Sequence, residues 1–210
     1  MSIIVRAECY LVDLEVETVR TDAVQAFLKQ ETLFVEIETA DGLRGTGYSY
    51  TIGTGGKAVL AMLREHLVPR LIGKDSRTVE ATWFDLFAST RATTTGAITS
   101  LALAAVDTAL WDVRSKRAGE PLWQTAGGFS QRVPLYDTEG GWLHLTVEEL
   151  VASASKSKAA GWKGVKVKVG KPRIQDDVER LTAVRSAIGH DMDLMVDANQ
   201  SMTGAEARRR

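Results

Sequence analysis

The sequence predicts two folding patterns in succession, an α+β module and then repeating βα units that build a parallel sheet or barrel. Strand patterns come first and are followed by helices, the last of which stops at Gly119. From Arg132 onward strand and helix patterns alternate, with strands about thirty residues apart. Two lysines in one strand of that second part, Lys166 and Lys168, indicate where the chemistry is expected.

The first module is predicted to begin with strands and to end with helices. Residues 2–14 alternate like a strand, whereas Glu17–Glu31 has no clean period and is interpreted as a loop. Leu33–Tyr50 predicts a hairpin with Asp41 and Gly42 at its turn. Helical spacing then covers about Lys57–Leu71, Val79–Phe87 and Gly96–Arg117.

The second module is predicted to repeat a strand and a helix. Its strands are Val133–Asp137, Gly164–Gly170 and Asp193–Asn199, with helices near 146–161 and 175–188 between them. Thr146 and Thr203 each open a capping box that a glutamate completes three residues later. Since a (β/α)₈ barrel takes about 250 residues, we expect the pattern to be cut off after its third strand.

Composition excludes several classes of function. The net charge of -1 over 210 residues argues against a general nucleic-acid or membrane-surface role. The single cysteine, Cys9, excludes an internal disulfide and fits a reducing compartment. The sequence shows neither a signal-peptide pattern nor an apolar run long enough to span a bilayer, so a cytoplasmic protein is expected.

Lys166 and Lys168 place charge where a strand of a parallel sheet is normally apolar. Side chains alternate between faces, so the two lysines share one face and the valines between and beside them share the other. The next strand should be a parallel neighbour that ends at Asp197. Such lysines are costly to bury unless they pair or do chemistry. The alternative is a salt-bridged or solvated edge strand.

The ends of these strands suggest proton removal assisted by a metal. In βα folds the carboxyl ends of the strands carry the site, and Asp197 and Asn199 lie there with the lysines. A carboxylate in such a place suits Mg²⁺. A lysine beside a second lysine and a cation is pushed towards its neutral form and becomes a general base. Together these parts remove a proton next to a carboxylate while the metal stabilises the enediolate.

The chain resembles the enolase superfamily, in the mandelate racemase/muconate lactonizing enzyme group. The spacing of Lys-x-Lys and Asp-x-Asn is specific to it, while either motif alone is weak. Within the group the resemblance is closest to the galactarate/talarate dehydratases, which use sugar acids. The matching segments are Ala109–Asp112, Lys116–Pro121, Lys166–Gly170 and Asp197–Asn199 for the group, and Arg20–Ala23, Tyr48–Gly53 and Thr138–His144 for the dehydratases.

The resemblance assigns roles to the strand-end residues. Lys168 would be the base on one face of an acid-sugar substrate, and Lys166 would bind the substrate carboxylate and depress the pKa of Lys168. Asp197 would be the first Mg²⁺ ligand, and Asn199 a polar contact to the substrate. Two further carboxylate ligands and a histidine base with its aspartate partner would lie beyond Arg210, so we expect the 210 residues alone to be inactive.

The resemblance also implies a domain organisation. An α+β capping domain, 1–128, would precede the first three βα units of a (β/α)₈ barrel, 129–210. The loops with Asp22 and with Ile52 and Gly53 would close over the substrate from the capping domain, as lids do. The complete enzyme would be a homo-oligomer.

Other readings stay open. A racemase, an epimerase or a cycloisomerase of the same superfamily is an alternative to the dehydratase. A Schiff-base aldolase with a barrel lysine is a rival enzyme, and a catalytically incomplete assembly module is a rival of another class. His144 lies on the loop after the first barrel strand and could face the site, but it is interpreted as a surface-loop residue. Asp107 and Asp112 are interpreted as partners of backbone or basic groups.

Overall fold

The computed structural model describes residues 2–210, which form two compact units. The first unit holds the chain up to Val16 together with Lys29–Gln131. The second holds Glu17–Leu28 together with Arg132–Arg210. The short segment Glu17–Leu28 therefore belongs with the βα part of the chain, although it falls between strands of the first unit in sequence.

The strands before residue 52 confirm the predicted first strand and hairpin. They are β1 (Ile4–Leu14), β2 (Arg20–Thr21), β3 (Ala26–Phe27), β4 (Gln30–Thr39) and β5 (Arg44–Thr51). In the first unit β1, β4 and β5 form an antiparallel sheet in that order, and Gly42 turns the hairpin with a φ of 84°. The loop predicted over Glu17–Glu31 is wrong in part, because this segment contains the β2–β3 pair and the start of β4. Two-residue strands are too short to show alternation in a sequence.

The helices of the first unit follow the predicted spacing. They are α1 (Gly56–Ala61), α2 (Val79–Ser89), α3 (Ala97–Ala118) and α4 (Leu122–Thr125). The predicted helix over Lys57–Leu71 widens after α1 into a π-helical turn at Met62–Leu67 and tightens into a 3₁₀ turn at Val68–Leu71. Across residues 2–210 no helix combines the length and the apolar character that crossing a membrane requires.

Two glycines let α3 approach the sheet of the first unit. A Cβ atom on Gly47 would lie 2.1 Å from the carbonyl oxygen of Ala105, and one on Gly45 would lie 2.3 Å from that of Ala109. The close approach seals a large apolar core. That core includes Ile4, Leu33, Val35, Ile37, Leu63, Leu67, Leu86, Val106 and Leu110.

The second unit confirms the predicted parallel pair of strands. Its remaining elements are α5 (Val147–Ala159), β6 (Gly164–Lys168), α6 (Ile174–Ile188), β7 (Asp193–Asp197) and α7 (Gly204–Arg209). β6 and β7 pair in parallel, with Lys168 opposite Asp197. Val165 and Val167 turn to a small core that Leu150, Ala154, Val184, Ile188 and Met192 complete. The capping box of Thr146 and Glu149 opens α5 as predicted.

Two predicted features of the second unit are wrong in detail. Val133–Asp137 is not a strand. It pairs with β6 only through one parallel bridge, between Asp137 and Val165. Pro134 has no N–H to donate, and Val133 is 72% exposed. At the start of α7 Thr203 caps the Glu206 N–H, but the Glu206 carboxylate pairs with Arg209 and Arg210 instead of completing a box.

Candidate active site

The second unit gathers the predicted catalytic residues at the carboxyl end of β6. Alternation along β6 buries Val165 and Val167 on one face and sends Lys166 and Lys168 to the other. The Lys168 side chain is only 11% exposed and that of Lys166 is 23% exposed. The parallel register places Asp197, the last residue of β7, beside Lys168. The prediction that these residues meet is confirmed.

One carboxylate holds both lysines. Asp197 Oδ2 accepts hydrogen bonds from Lys168 Nζ at 2.7 Å and lies 3.3 Å from Lys166 Nζ. Asp197 Oδ1 accepts from the backbone N–H of Asn199 at 2.8 Å. The Asn199 side chain returns to the cluster, because its Oδ1 accepts from Lys168 Nζ at 3.0 Å. Lys168 therefore has two oxygen partners, one charged and one neutral.

The same contacts set the charge of Asp197. The hydrogen bond from Lys168, the Asn199 N–H and the hydrogen bond from Lys166 favour the carboxylate form, while partial burial opposes it. The net result lowers the pKa of Asp197 from 3.8 to about 2. Asp197 is thus an anion across the physiological pH range, which is the form that a cation requires.

Asn199 reaches Lys168 from an uncommon backbone conformation. Its φ is 50°, in the left-handed region that few residues other than glycine adopt. Asparagine tolerates this region better than most side chains do. The turn after β7 thereby directs an amide oxygen back to the strand ends, which supports the prediction of a polar role for Asn199 without testing it.

Two aromatic rings lie against the lysines, and the sequence analysis did not single them out. The centroid of the Trp142 ring is 5.5 Å from Lys168 Nζ, and that of Tyr136 is 5.7 Å from Lys166 Nζ. Both distances are within the range of cation–π attraction. Aromatic residues scattered along a sequence are usually interpreted as core residues. The sequence signal that could have singled these two out is their position on either side of Asp137, which bridges to β6.

Two glycines let the Trp142 loop pack closely against β6 and α5. A Cβ atom on Gly141 would lie 1.9 Å from the Lys166 carbonyl oxygen, and one on Gly140 would lie 1.7 Å from Ser153 Oγ. The Gly141 carbonyl accepts from the Lys168 N–H at 2.7 Å. The loop is consequently fixed beside the strand that carries both lysines.

A buried charged pair on α6 also escaped the sequence analysis. Asp177 and Arg180 lie on the buried face of that helix together with Val184 and Ile188. Burial lowers the pKa of Arg180, and the Asp177 charge offsets part of that effect. Charged residues at the apolar positions of a helical period are the sequence signal that could have revealed this pair. Asp177 and Arg180 occupy such positions in the helix that follows the Lys-x-Lys strand.

The segment with Asp22 lies against the chain that leaves β6. The Asp22 side chain is mostly buried, and its Oδ1 accepts from the N–H groups of Val24 and Gln25 at 2.7 and 2.9 Å, which holds the turn between β2 and β3. A Cβ atom on Gly170 would lie 2.5 Å from Ala23 Cβ. The structure brings this turn to the strand ends, and substrate contact by Asp22 stays a prediction.

The remaining candidates are Ile52, Gly53, His144 and Asp112. Ile52 and Gly53 follow β5 in the first unit, where Gly53 has a φ of 78°, and their contact with substrate stays a prediction. His144 is exposed, with Nδ1 3.2 Å from Thr21 Oγ1. Asp112 accepts from the Thr46 N–H and from Lys116, which confirms its interpretation as a partner of backbone and basic groups.

The donor atoms fit a partial site for Mg²⁺. Between residues 2 and 210 no three histidine, cysteine, aspartate or glutamate side chains converge. Asp197 supplies one ionised carboxylate, and Mg²⁺ in proteins commonly takes one or two carboxylates, with waters and substrate oxygens completing the shell. The two lysines that share Asp197 would compete with a cation for the same oxygen.

Comparison with known proteins gives two family matches. Residues 8–127 match the mandelate racemase/muconate lactonizing enzyme N-terminal domain, and residues 149–210 match the enolase C-terminal domain-like family. A 3,6-anhydro-α-L-galactonate cycloisomerase from Streptomyces coelicolor is 38% identical over 200 residues, which cover 95% of this chain and 55% of the relative. An L-talarate/galactarate dehydratase from Salmonella typhimurium is 36% identical over 168 residues, covering 80% and 42%.

A solved structure gives the same answer for the fold. The L-talarate dehydratase from Polaromonas sp. JS666, complexed with Mg and L-glucarate, superposes with a TM-score of 0.91 at 35% identity. The match covers 100% of this chain and 57% of that protein. The chain thus spans about half the length of the relatives it matches, and the predicted resemblance to this group is confirmed.

Proposed function

Because this chain belongs to the mandelate racemase/muconate lactonizing enzyme family, we propose that it forms the part of a sugar-acid dehydratase that removes the proton next to a carboxylate. The observation that carries the proposal is the strand-end cluster of Lys166, Lys168, Asp197 and Asn199. Two lysines on one carboxylate, at the place where βα folds bind ligands, supply both a proton acceptor and positive charge.

Lys168 is the proposed base. Its amine lies deepest in the cluster, with the Trp142 ring on one side and the oxygens of Asp197 and Asn199 on the other. In its neutral form the amine takes the α-proton, and the electron pair of the broken C–H bond moves towards the substrate carboxylate. Loss of a hydroxyl group from the neighbouring carbon, together with a proton, then releases water. Burial keeps bulk water from exchanging that proton prematurely.

Lys166 is the proposed carboxylate-binding residue. It is more exposed than Lys168, and its second neighbour is the Tyr136 ring rather than an amide oxygen. A charged amine at this position attracts the substrate carboxylate and holds the α-carbon near Lys168. Asn199 accepts a hydrogen bond from Lys168 and so restricts where that amine can point.

Asp197 is the residue that would hold Mg²⁺, assisted by water and substrate oxygens. When it is bound, Mg²⁺ supplies positive charge beside the carboxylate oxygens on which negative charge develops. The lowered pKa of Asp197 keeps that carboxylate available. With one carboxylate from the described residues, we expect binding to this chain to be weak and to tighten when substrate is present.

A cycloisomerase is the second candidate, favoured by the similarity to the enzyme from Streptomyces coelicolor. Both reactions can begin with the same proton removal by Lys168. They differ in outcome, because dehydration releases water whereas cycloisomerisation keeps all the atoms in the product. The mass of the product therefore separates the two.

The test incubates the protein that carries this chain with Mg²⁺ and a panel of mono- and dicarboxylic sugar acids. Mass spectrometry is expected to find a product lighter by one water, and removal of Mg²⁺ by a chelator should abolish it reversibly. Asp197→Asn should abolish product formation, while Asp193→Asn, at the exposed start of β7, should not. A product of unchanged mass would favour cycloisomerisation, and an adduct of substrate trapped on a lysine by borohydride would favour the aldolase.

The wider organisation completes the proposal. Residues 1–128 would form a capping domain and 129–210 the first βα units of a (β/α)₈ barrel, which agrees with the two family matches and with relatives about twice as long as this chain. The turn at Asp22 and the bend at Ile52 and Gly53 would contribute to the lid over an acid sugar. Assembly into a homo-oligomer is part of the same proposal.

A further inference from the structure

The charged pair on α6 is buried at a cost that its surroundings explain. Arg180 and Asp177 have side chains that are 4% and 10% exposed, on a helix face that is otherwise apolar. Burying ionised groups is unfavourable unless each one is hydrogen bonded. Their hydrogen-bond partners lie around the end of β6, where Lys168 is located, and Asp177 Oδ2 also lies 3.3 Å from Arg210 Nη1.

Arg180 ties two segments together through its fork of donors. Nη1 donates to the Lys168 carbonyl oxygen at 2.8 Å and lies 3.4 Å from Asp177 Oδ1. Nη2 donates to the Trp142 carbonyl oxygen at 3.1 Å. A planar guanidinium fixes both carbonyls in one geometry, which a lysine amine could not reproduce.

Asp177 fixes the chain on the other side of Val169. Its Oδ2 accepts from the N–H groups of Gly170 and Lys171 at 2.9 and 3.0 Å. Gly170 has a φ of 123°, so this turn depends on glycine. Arg180 and Asp177 together hold the backbone immediately before and after the point where β6 ends.

Arg180 also reaches the amine of Lys168 indirectly. Arg180 holds the Trp142 carbonyl oxygen by a hydrogen bond. The ring of the same tryptophan has its centroid 5.5 Å from Lys168 Nζ. The Lys168 N–H is bonded to Gly141, the neighbour of Trp142. The base is thus held at its backbone by Arg180 and at its side chain by a ring that Arg180 positions.

From this geometry we infer that Arg180 is a positioning residue for Lys168, held in place by Asp177, and that it sets the rate of proton removal without touching the substrate. The inference rests on the proposed function. It differs from a role in stability alone, because it predicts a loss of reactivity in a folded protein.

Arg185 on the same helix provides a matched control. Its Nη1 donates to the carbonyl oxygens of Gly189 and Met192 at 2.8 and 2.7 Å, so it also clamps two carbonyls. Those carbonyls lie before β7, at the opposite end of the strand pair from Lys168 and Asp197. Arg180→Gln and Arg185→Gln thus remove the same kind of contact in two places.

The first measurement does not require activity. Nitrogen–proton correlation spectra of the lysine amines detect ammonium groups held by a carboxylate, and Lys168→Met assigns the Lys168 signal. We expect Arg180→Gln to shift or broaden that signal, Arg180→Lys to change it less, and Arg185→Gln to leave it unchanged. Circular dichroism shows whether each variant is folded. If Arg180→Gln does not fold, Arg180→Lys takes its place in the comparison.

The second measurement separates positioning from substrate binding. If the amine is displaced by about an ångström, the kcat for α-proton removal should fall by about 10²-fold, with KM little changed. If the unsubstituted protein exchanges no α-proton, the proposed function fails, and the ammonium signal still decides the role of Arg180. The inference is overturned if both the ammonium signal and kcat are unchanged in Arg180→Gln, or if Arg185→Gln changes them equally.

Discussion

The first unit buries a large aliphatic core beneath a three-stranded sheet, whereas the second buries a small one behind a two-stranded sheet. Their buried polar groups differ in kind. In the first unit these are serines and threonines, such as Thr32, Thr39 and Thr99. Among residues 2–210 the buried charged side chains all belong to the second unit and are Asp22, Lys168, Asp177 and Arg180.

The difference agrees with a first unit that supplies stability and a second unit that carries the proposed chemistry. An apolar core stabilises a fold in proportion to the area it removes from water. Buried charges add little stability relative to apolar residues, but they supply fixed fields and reactive groups. The second unit accepts that cost next to Lys168, where the proposed reaction takes place.

The largest effect on stability is expected from breaking the buried pair in the second unit. Asp177→Asn removes the charged partner of Arg180 and of Arg210 and should destabilise the protein by about 3–5 kcal/mol. Asp176→Asn is the control, because Asp176 pairs with Arg173, whose side chain is 80% exposed, and such pairs contribute about 0–1 kcal/mol. Urea unfolding of the two variants measures the difference, and equal effects would contradict this view of the second unit.

The first unit should be most sensitive to a cavity in its core. Leu110 is fully buried in α3, so Leu110→Ala should cost about 2–5 kcal/mol. Hydrogen exchange should speed up in β4 and α3 and leave the Lys168 ammonium signal unchanged. Leu122→Ala, at a position 46% exposed, serves as the control. A change confined to β6 and β7 would break the comparison between the units.

The smallest effect concerns a surface charge of the first unit. Hydrogen bonds from Arg77 lower the pKa of Asp75 from 3.8 to about 2. Because the folded value is the lower one, the stabilisation is present above about pH 4 and is lost as the pH falls towards 2. The melting temperature should therefore fall slightly less between pH 6 and pH 2 in Asp75→Asn than in the unsubstituted protein. A greater fall in the variant would contradict a stabilising role for the Asp75 carboxylate.

The sequence predicted the elements whose periods are long and the cluster whose spacing is specific. Lys166, Lys168 and Asp197 could be placed together because alternation and parallel register follow from simple rules. The β2–β3 pair could not be predicted, because a side-chain turn at Asp22 holds it. The expected strand at Val133–Asp137 reduces to one bridge, since alternation alone does not report hydrogen bonding.

The residues around the cluster were harder to find. Trp142 contacts Lys168 through its ring, and Arg180 contacts the loop and β6 through carbonyl oxygens. Contacts of these kinds leave no periodic trace in a sequence. The glycines at 140 and 141 belong to a segment that resembles the dehydratases, but the sequence does not show why glycine stands there. The structure shows that their backbone approaches β6 and α5 closely. Packing of this kind becomes visible only in three dimensions.

The central claim is that Lys168 removes the α-proton. Incubation of a sugar acid with Mg²⁺ and the protein in D₂O, followed by NMR, measures deuterium entry at the α-carbon. Lys168→Ala should slow this exchange by about 10²–10⁴-fold, and Lys168→Arg should not restore it, because arginine stays protonated. Lys163→Ala, at an exposed lysine just before β6, should exchange at the unsubstituted rate. Exchange that is unchanged in Lys168→Ala would contradict the assignment of the base and the account built on it.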